Sequence, residues 1–268
     1  MARVFDDFSG ELNPRWRRHI AGEGRLERTE STLRFVNVDT SPNAYTNAQI
    51  DDYQGLPRRH FPWRPPLKLT VRARFSHASS DGRIGLSGTA GFGFWNDPFL
   101  MTERRIPTLP RALWFFYSSP PSDMKLDLSV PGDGWKAAAI DALRPSALLL
   151  VPLALPAALL MNLRPLYRAL WPPIQGALNI RESATDVPLT AWHTYVIEWG
   201  VEYATFSVDD KPVLERAPSP VGPLGFVMWL DNQYMIVKPW GRFGWGLLEK
   251  PGRQWLEVDR LLIEPESP

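Results

Sequence analysis

The chain has 268 residues, 44% of them hydrophobic and 22% charged, and its formal net charge is +1. These values are typical of a globular protein with a large core, and they exclude a global electrostatic field that would attract nucleic acid. The lack of cysteine excludes disulfides, thiolate catalysis and cysteine-bound metals.

The first half of the chain predicts β-strands separated by proline-rich loops. Residues 67–76 (LKLTVRARFS) alternate apolar and polar side chains, as a half-buried strand does. Residues 32–37 alternate in the same way, and residues 90–96 and 112–118 are predicted as aromatic strands.

Strands resume after residue 190. Residues 192–199 and 203–209 alternate well, and the turn signal DDKP leads into a short strand at 213–215. Residues 225–234 and 254–265 complete the set. Many short strands separated by turns predict an all-β fold, an antiparallel β-sandwich.

Three stretches carry a family resemblance. WHTYVIEW…ATFSVDDKPVLE resembles paired strands of the family 16 glycoside hydrolases, the laminarinase and lichenase group. DDFSGELNPRWRRH is similar to the opening of many concanavalin A-like domains, and GFGFWNDP to the family's Gly-rich, Trp-containing strand. The resemblance covers roughly residues 4–125 and 190–264. It implies a jelly roll of two curved sheets with a glycan cleft on the concave face.

The family's catalytic motif is missing from the matching strand. The family places acids at E-x-D-x-x-E or E-x-D-x-E, so that alternate side chains share the cleft. Here ALWFFYSSPPSD has no acid before Asp123. Aromatic side chains therefore occupy the expected place of the acids, with Trp114 and Phe116 on one face and Phe115 and Tyr117 on the other.

The segment WLDNQY (229–234) is the second candidate wall of the cleft. Its polar run needs hydrogen-bond partners, which a ligand supplies in one interpretation and loop backbone groups in the other. In the functional interpretation Asp231 is an acceptor or a general base, and Trp229, Asn232 and Gln233 contact the ligand.

Further tryptophans have two interpretations each. Trp95 either stacks on a ligand or packs in the core. Trp240 and Trp245, in a predicted loop at 238–246, either offer stacking surfaces or anchor the loop. The four histidines have no metal-ligand spacing, and no phosphate-binding or nucleophile-elbow motif is present, so we expect no metal and no cofactor.

The central segment departs from the strand pattern. Residues 145–163 carry no charge, although Pro152 and Pro156 interrupt any long helix. We expect a single sandwich domain over residues 1–268, with an insertion at 142–190 that is mostly helical around 144–180. Within it, residues 166–174 predict a short helix that Pro172 ends.

The insertion has several possible roles. It is a lid over the cleft, a packing element, a monotopic membrane contact, or an interface between copies of the chain. A membrane span is excluded because it would separate the two halves of one sandwich. With no apolar signal region at the start of the chain, the sequence predicts a cytoplasmic protein.

Together these features predict a protein that binds a saccharide or an amphipathic, glycolipid-like molecule in the cleft. Two alternatives stay open: an enzyme, such as a glycoside hydrolase with relocated acids including Asp231, and a membrane-surface or assembly module built on residues 144–173.

Overall fold

The structure is a computed structural model that describes residues 3–78, 85–98, 106–148, 151–238 and 242–266. These residues form seventeen strands and three α-helices. The strands are β1 (Val4–Asp6), β2 (Arg17–Ala21), β3 (Gly24–Arg28), β4 (Leu33–Thr40), β5 (Asn47–Asp51), β6 (Leu67–Phe75), β7 (Thr89–Trp95), β8 (Arg111–Ser118), β9 (Gly134–Asp141), β10 (Ile180–Ala184), β11 (His193–Trp199), β12 (Tyr203–Val208), β13 (Lys211–Pro218), β14 (Gly225–Asp231), β15 (Gln233–Lys238), β16 (Arg242–Leu247) and β17 (Lys250–Pro265). The helices are α1 (Pro145–Leu148), α2 (Ala154–Leu160) and α3 (Arg164–Ala177), with 3-10 turns at Arg58–His60 and Val151–Leu153.

Two antiparallel sheets form the body of the protein. The back sheet has the order β13-β12-β11-β6-β17-β4-β3, with β1 also paired to β17. The cleft sheet has the order β10-β9-β8-β7-β14-β5-β2. Strands β15 and β16 form a separate two-stranded hairpin. The predicted all-β sandwich is confirmed.

The main core lies between the two sheets. Strand β6 alternates cleanly, with Leu67, Leu69, Val71, Ala73 and Phe75 buried and the residues between them partly exposed. In the cleft sheet, β7 and β14 are buried on both faces, and so is β8 apart from its first residue. One face of β8, with Leu113, Phe115 and Tyr117, belongs to the main core. The opposite face forms a second apolar cluster.

Two strand predictions need correction. Residues 225–234 form two strands, because Asn232 interrupts the ladder between β14 and β15. The predicted loop 238–246 contains strand β16, which pairs with β15. Its glycines give room to the opposite strand: a Cβ at Gly246 would lie 2.5 Å from Cε1 of Tyr234.

The insertion is the connection between two neighbouring strands. β9 and β10 pair antiparallel, with Ile140 opposite Ile180, so the helices form the loop of a hairpin. Helix α3 continues through Pro172 to Ala177, and the predicted end at Pro172 is wrong. The helix is held from its side, where Trp171 is buried and donates from Nε1 to the carbonyl of Leu126 at 3.0 Å. The predicted range 142–190 also includes β10, an edge strand of the cleft sheet.

Candidate functional site

The outer face of the cleft sheet carries a cluster of aromatic rings. We call Trp95, Trp114, Phe116 and Trp229 the aromatic floor. The centroid of the Trp114 ring lies 5.8 Å from that of Trp95, 5.6 Å from that of Phe116 and 5.8 Å from that of Trp229. Each ring is 7–8% exposed, at the bottom of a cleft of about 600 Å³ that is open to solvent.

Strand register and glycine explain why these rings meet. In the ladder, Trp229 lies opposite Gly91, and Gly91 lies opposite Phe116. A Cβ at Gly91 would be 2.9 Å from Cη2 of Trp229 and 2.3 Å from the carbonyl oxygen of Phe115. Glycine at this position of β7 therefore lets an indole from β14 lie across the strand and reach the rings of β8.

A polar edge borders the floor at the ends of β7 and β14. Nε1 of Trp229 donates to Oγ1 of Thr89 at 2.9 Å, and this hydroxyl donates to Oδ1 of Asp231 at 2.8 Å. The backbone amides of Thr89 and Gln233 also donate to Oδ1. This chain of hydrogen bonds fixes both the indole and the carboxyl group.

Asp231 has an unusual protonation equilibrium. Burial raises its pKa from 3.8 to about 6, against the opposing effect of the hydrogen bonds it accepts. Near neutral pH the group therefore exchanges a proton readily, as a general acid or base must.

Asp231 has no second carboxyl beside it among the described residues that line the cleft. Asp51 is a carboxyl on the neighbouring strand β5, but β14 pairs Asp231 with Asn47 and Val227 with Asp51. Four residues of strand separate the two acids by about 13 Å. Glycoside hydrolysis by a carboxyl pair uses separations of about 5 to 9.5 Å.

Most of the predicted site residues are brought together. Trp95, Trp114, Phe116, Trp229, Asp231 and Gln233 all line the cleft. Sequence analysis did not single out Gln49, Thr89, Val227, Met124 and Met235, which line it too. Gln49 had a usable signal, since NAQID alternates polar and apolar residues. Met124 lies in an irregular loop and had none.

Two predicted ligand contacts, Asn232 and Trp245, do not line this cleft, and a third lies outside the described residues. The Asn232 side chain is fully buried and donates to the carbonyls of Ser41 and Ala44, each at 3.0 Å, while its oxygen accepts from the amide of Thr46. Trp245 lies on β16 with 73% of its surface exposed. Trp240 lies outside the described residues.

The described part of the insertion flanks the cleft without lining it. Buried Met161, Tyr167 and Trp171 form a small cluster that packs against Leu128 of the loop before β9. Gln175 donates to Asp127 of the same loop at 2.9 Å. These contacts pack the described part of the insertion against the loop before β9.

The described residues contain neither a membrane-spanning helix nor a cluster of metal-binding side chains. No helix in the described ranges is long and apolar enough to cross a bilayer. Likewise, the described histidine, aspartate and glutamate side chains form no group of three or more that is placed to hold a metal ion.

Comparisons with known proteins identify the fold. No protein-family model and no curated protein sequence matches the chain. An endo-1,3-β-glucanase structure from Streptomyces sioyaensis matches with a TM-score of 0.55 at 14% identity, over 99% of this chain and 96% of its own. A lichenase structure from a mouse hindgut metagenome matches with a TM-score of 0.53 at 12% identity, over 99% and 100%.

A structure of a glycoside hydrolase family protein from Mycobacterium thermorestibile matches with a TM-score of 0.53 at 12% identity, over 97% of this chain and 99% of its own. At such low sequence identities, the structural similarity shows a shared fold only. The chain has the jelly-roll fold of the family 16-type glucanases, as the resemblance predicted.

Proposed function

We propose that the cleft binds a saccharide, either free or as the sugar part of an amphipathic molecule such as a glycolipid. The aromatic floor is the observation that carries this proposal. Sugar rings have apolar faces that pack on aromatic side chains, and Asp231, Gln49 and Gln233 offer hydrogen bonds to hydroxyl groups at one edge. The matching fold of glucanases supports a sugar ligand in this position.

The floor also favours a ligand with apolar surface. At the cleft positions of β8 stand Ala112, Trp114, Phe116 and Ser118, without a carboxyl group. Met124 and Met235 line the same cleft. Their unbranched thioether side chains adapt to irregular ligands, so we expect them to move aside as the ligand enters.

Binding is tested by titrating the protein with laminari-oligosaccharides, octyl β-glucoside and octanol, by calorimetry. We expect the sugar-containing ligands to bind and octanol to bind more weakly than octyl β-glucoside. Trp229→Ala should weaken binding at least about tenfold, since a buried aromatic contact is worth more than 1 kcal/mol. Trp245→Ala, which removes an exposed indole outside the cleft, is the matched control. Equal effects of the two variants, or no binding of any sugar, would refute the proposal.

A second candidate function is catalysis with Asp231 as general acid or base. The raised pKa of this carboxyl, about 6, favours it. Turnover of laminarin, lichenan or aryl glycosides that disappears in Asp231→Asn, while calorimetric binding persists, would support catalysis. Turnover that persists in Asp231→Asn would remove Asp231 from the mechanism.

A further inference from the structure

A second pocket lies away from the cleft, between the insertion and the β15–β16 hairpin. It has a volume of about 780 Å³, including the part open to solvent. The end of α2, the start of α3 and both strands of the hairpin contribute to it. Its lining residues are Met161, Asn162, Arg164, Tyr167, Arg168, Lys238 and Arg242. We call this the basic pocket.

The basic pocket concentrates positive charge. Four of its seven lining residues are cationic, and Asp123 forms an ion pair with one of them, Lys238. Among the described residues, no carboxylate lies within 4.0 Å of the guanidinium groups of Arg164, Arg168 or Arg242, and all three residues are exposed. A chain with a net charge of only +1 thus presents a local anion-binding surface.

Large exposed apolar side chains stand next to these cations in the chain. Leu159 is 65% exposed, Leu160 50% and Leu163 61%, immediately before Arg164. On the hairpin, Phe243 is 75% and Trp245 73% exposed, immediately after Arg242. Exposed leucines with neighbouring arginines, and exposed tryptophan, are typical of surfaces that insert into the headgroup region of a bilayer.

From this juxtaposition we propose that the insertion and the hairpin dock on a membrane surface that contains anionic phospholipid. The basic pocket receives a lipid phosphate, and the leucines of α2 and of the α2–α3 turn enter the apolar boundary beneath the headgroups. The protein lies on one face of the bilayer, since its described helices do not span it.

Charge complementarity favours a lipid surface over a second copy of the chain. A two-fold symmetric dimer through this surface would bring the two basic pockets towards each other, and like charges in contact are unfavourable. An anionic bilayer instead neutralises the cations and buries the leucines in a single event. This proposal does not depend on what the cleft binds.

Flotation with vesicles tests the proposal on the full-length protein. We expect flotation with phosphatidylcholine vesicles that contain phosphatidylglycerol, and little with phosphatidylcholine alone. The triple variant Arg164→Gln, Arg168→Gln, Arg242→Gln should bind at least about tenfold more weakly, because each basic side chain near an anionic surface adds to the affinity. The double variant Leu159→Ser, Leu163→Ser should also bind more weakly.

Matched controls distinguish the effect of changing this surface from the effect of removing exposed arginines or apolar side chains elsewhere. Arg17, Arg18 and Arg28 are equally exposed, on edge strands β2 and β3 at the far side of the sheets. Their triple change to Gln should leave flotation within about twofold of the wild type. Val201→Ser with Val221→Ser, at residues 68% and 65% exposed, controls for the leucine changes. Circular dichroism melts establish that every variant is folded.

Three outcomes would overturn the proposal. They are no flotation of the wild type with anionic vesicles, equal losses in the pocket and control triples, and a wild-type dimer that the leucine variants dissociate. The third would indicate an interface between copies of the chain.

Discussion

Asp231 makes the stability of this protein depend on pH. The pKa of this carboxyl in the folded protein is about 6, above its ordinary value of 3.8, so the folded protein holds the proton more tightly than the unfolded chain does. The contribution of Asp231 to the free energy of unfolding is therefore greatest below pH 3.8. It falls as the pH rises from 3.8 to about 6, and the loss is then complete. The full loss is about 3 kcal/mol.

Asp231→Asn should remove this dependence, since an asparagine oxygen can accept the same hydrogen bonds. We expect the variant to gain free energy of unfolding relative to the wild type as the pH rises from 4 to 7, by about 2 kcal/mol. Urea unfolding at both pH values measures the difference. Asp210→Asn, at an exposed turn residue, is the control. A pH-independent difference between Asp231→Asn and the wild type would contradict the prediction.

Asn232 and Gln233 are adjacent but have different roles. Asn232 holds three chain segments together, since its amide contacts the carbonyls of Ser41, Ala44 and Leu248. Asn232→Ala removes these hydrogen bonds and leaves the buried backbone amide of Thr46 without the Asn232 oxygen as its acceptor, so it should lower the free energy of unfolding by roughly 1 to 3 kcal/mol.

Gln233→Ala should leave stability nearly unchanged and weaken ligand binding, because Gln233 lines the cleft and its side chain has no hydrogen bond among the described residues. Denaturant unfolding and calorimetric titration of the two variants measure this contrast. Equal stability losses in both would contradict the assignment of separate roles.

At the scale of the element, Trp171 is the most buried side chain by which helix α3 is anchored. Trp171 is 4% exposed and hydrogen-bonded to the Leu126 carbonyl. Trp171→Ala should lower the free energy of local unfolding of the helix by about 3 to 5 kcal/mol. We expect faster amide hydrogen exchange and proteolysis within residues 154–177, with unchanged exchange in β6 and β7.

Leu163→Ala, which truncates a side chain that is 61% exposed, is the control for this change. If Trp171→Ala accelerated exchange throughout both sheets, the insertion would be part of the cooperative core rather than an accessory to it.

The strands that were predicted and the strands that were missed differ in a physical way. β6, β11 and β12 alternate because one face meets the core and the other meets solvent, and alternation is visible in sequence. β9 was missed because seven of its eight residues, GWKAAAID, are buried and three of these are alanine. It therefore shows neither the alternation of β6 nor the aromatic run by which β7 and β8 were recognised.

The candidate site was also recognisable from sequence only in part. The polar run at 229–234 and the aromatic pair Trp114 and Phe116 were visible as unusual residues in strands. The sequence did not show that Asn232 points away from the cleft that Asp231 and Gln233 line. Its position depends on a break in the strand ladder and on a loop that is distant in sequence. Gln49 comes from β5, whose place beside β14 only the sheet order reveals.

At the scale of the whole molecule, the sandwich should not need its insertion. β9 and β10 are paired neighbours, and Asp141 bonds to Asn179 beyond the last pair, so a two-residue Asn-Gly turn can replace residues 142–178. We expect this deletion variant to keep the β-sheet circular dichroism spectrum and a single cooperative unfolding transition. It should also retain sugar binding and lose flotation with anionic vesicles. A variant that is unfolded would show that the helices are integral to the fold.

The position of the helices within a hairpin also bears on the order of folding. Closing a connection as long as residues 142–179 costs roughly 2 to 3 kcal/mol more chain entropy than closing a two-residue turn. β10 is an edge strand, whereas β7, β8 and β14 sit in the middle of their sheet. We therefore expect β10 to join last during refolding and to detach first under mechanical or chemical stress, leaving the aromatic floor assembled on a smaller sheet.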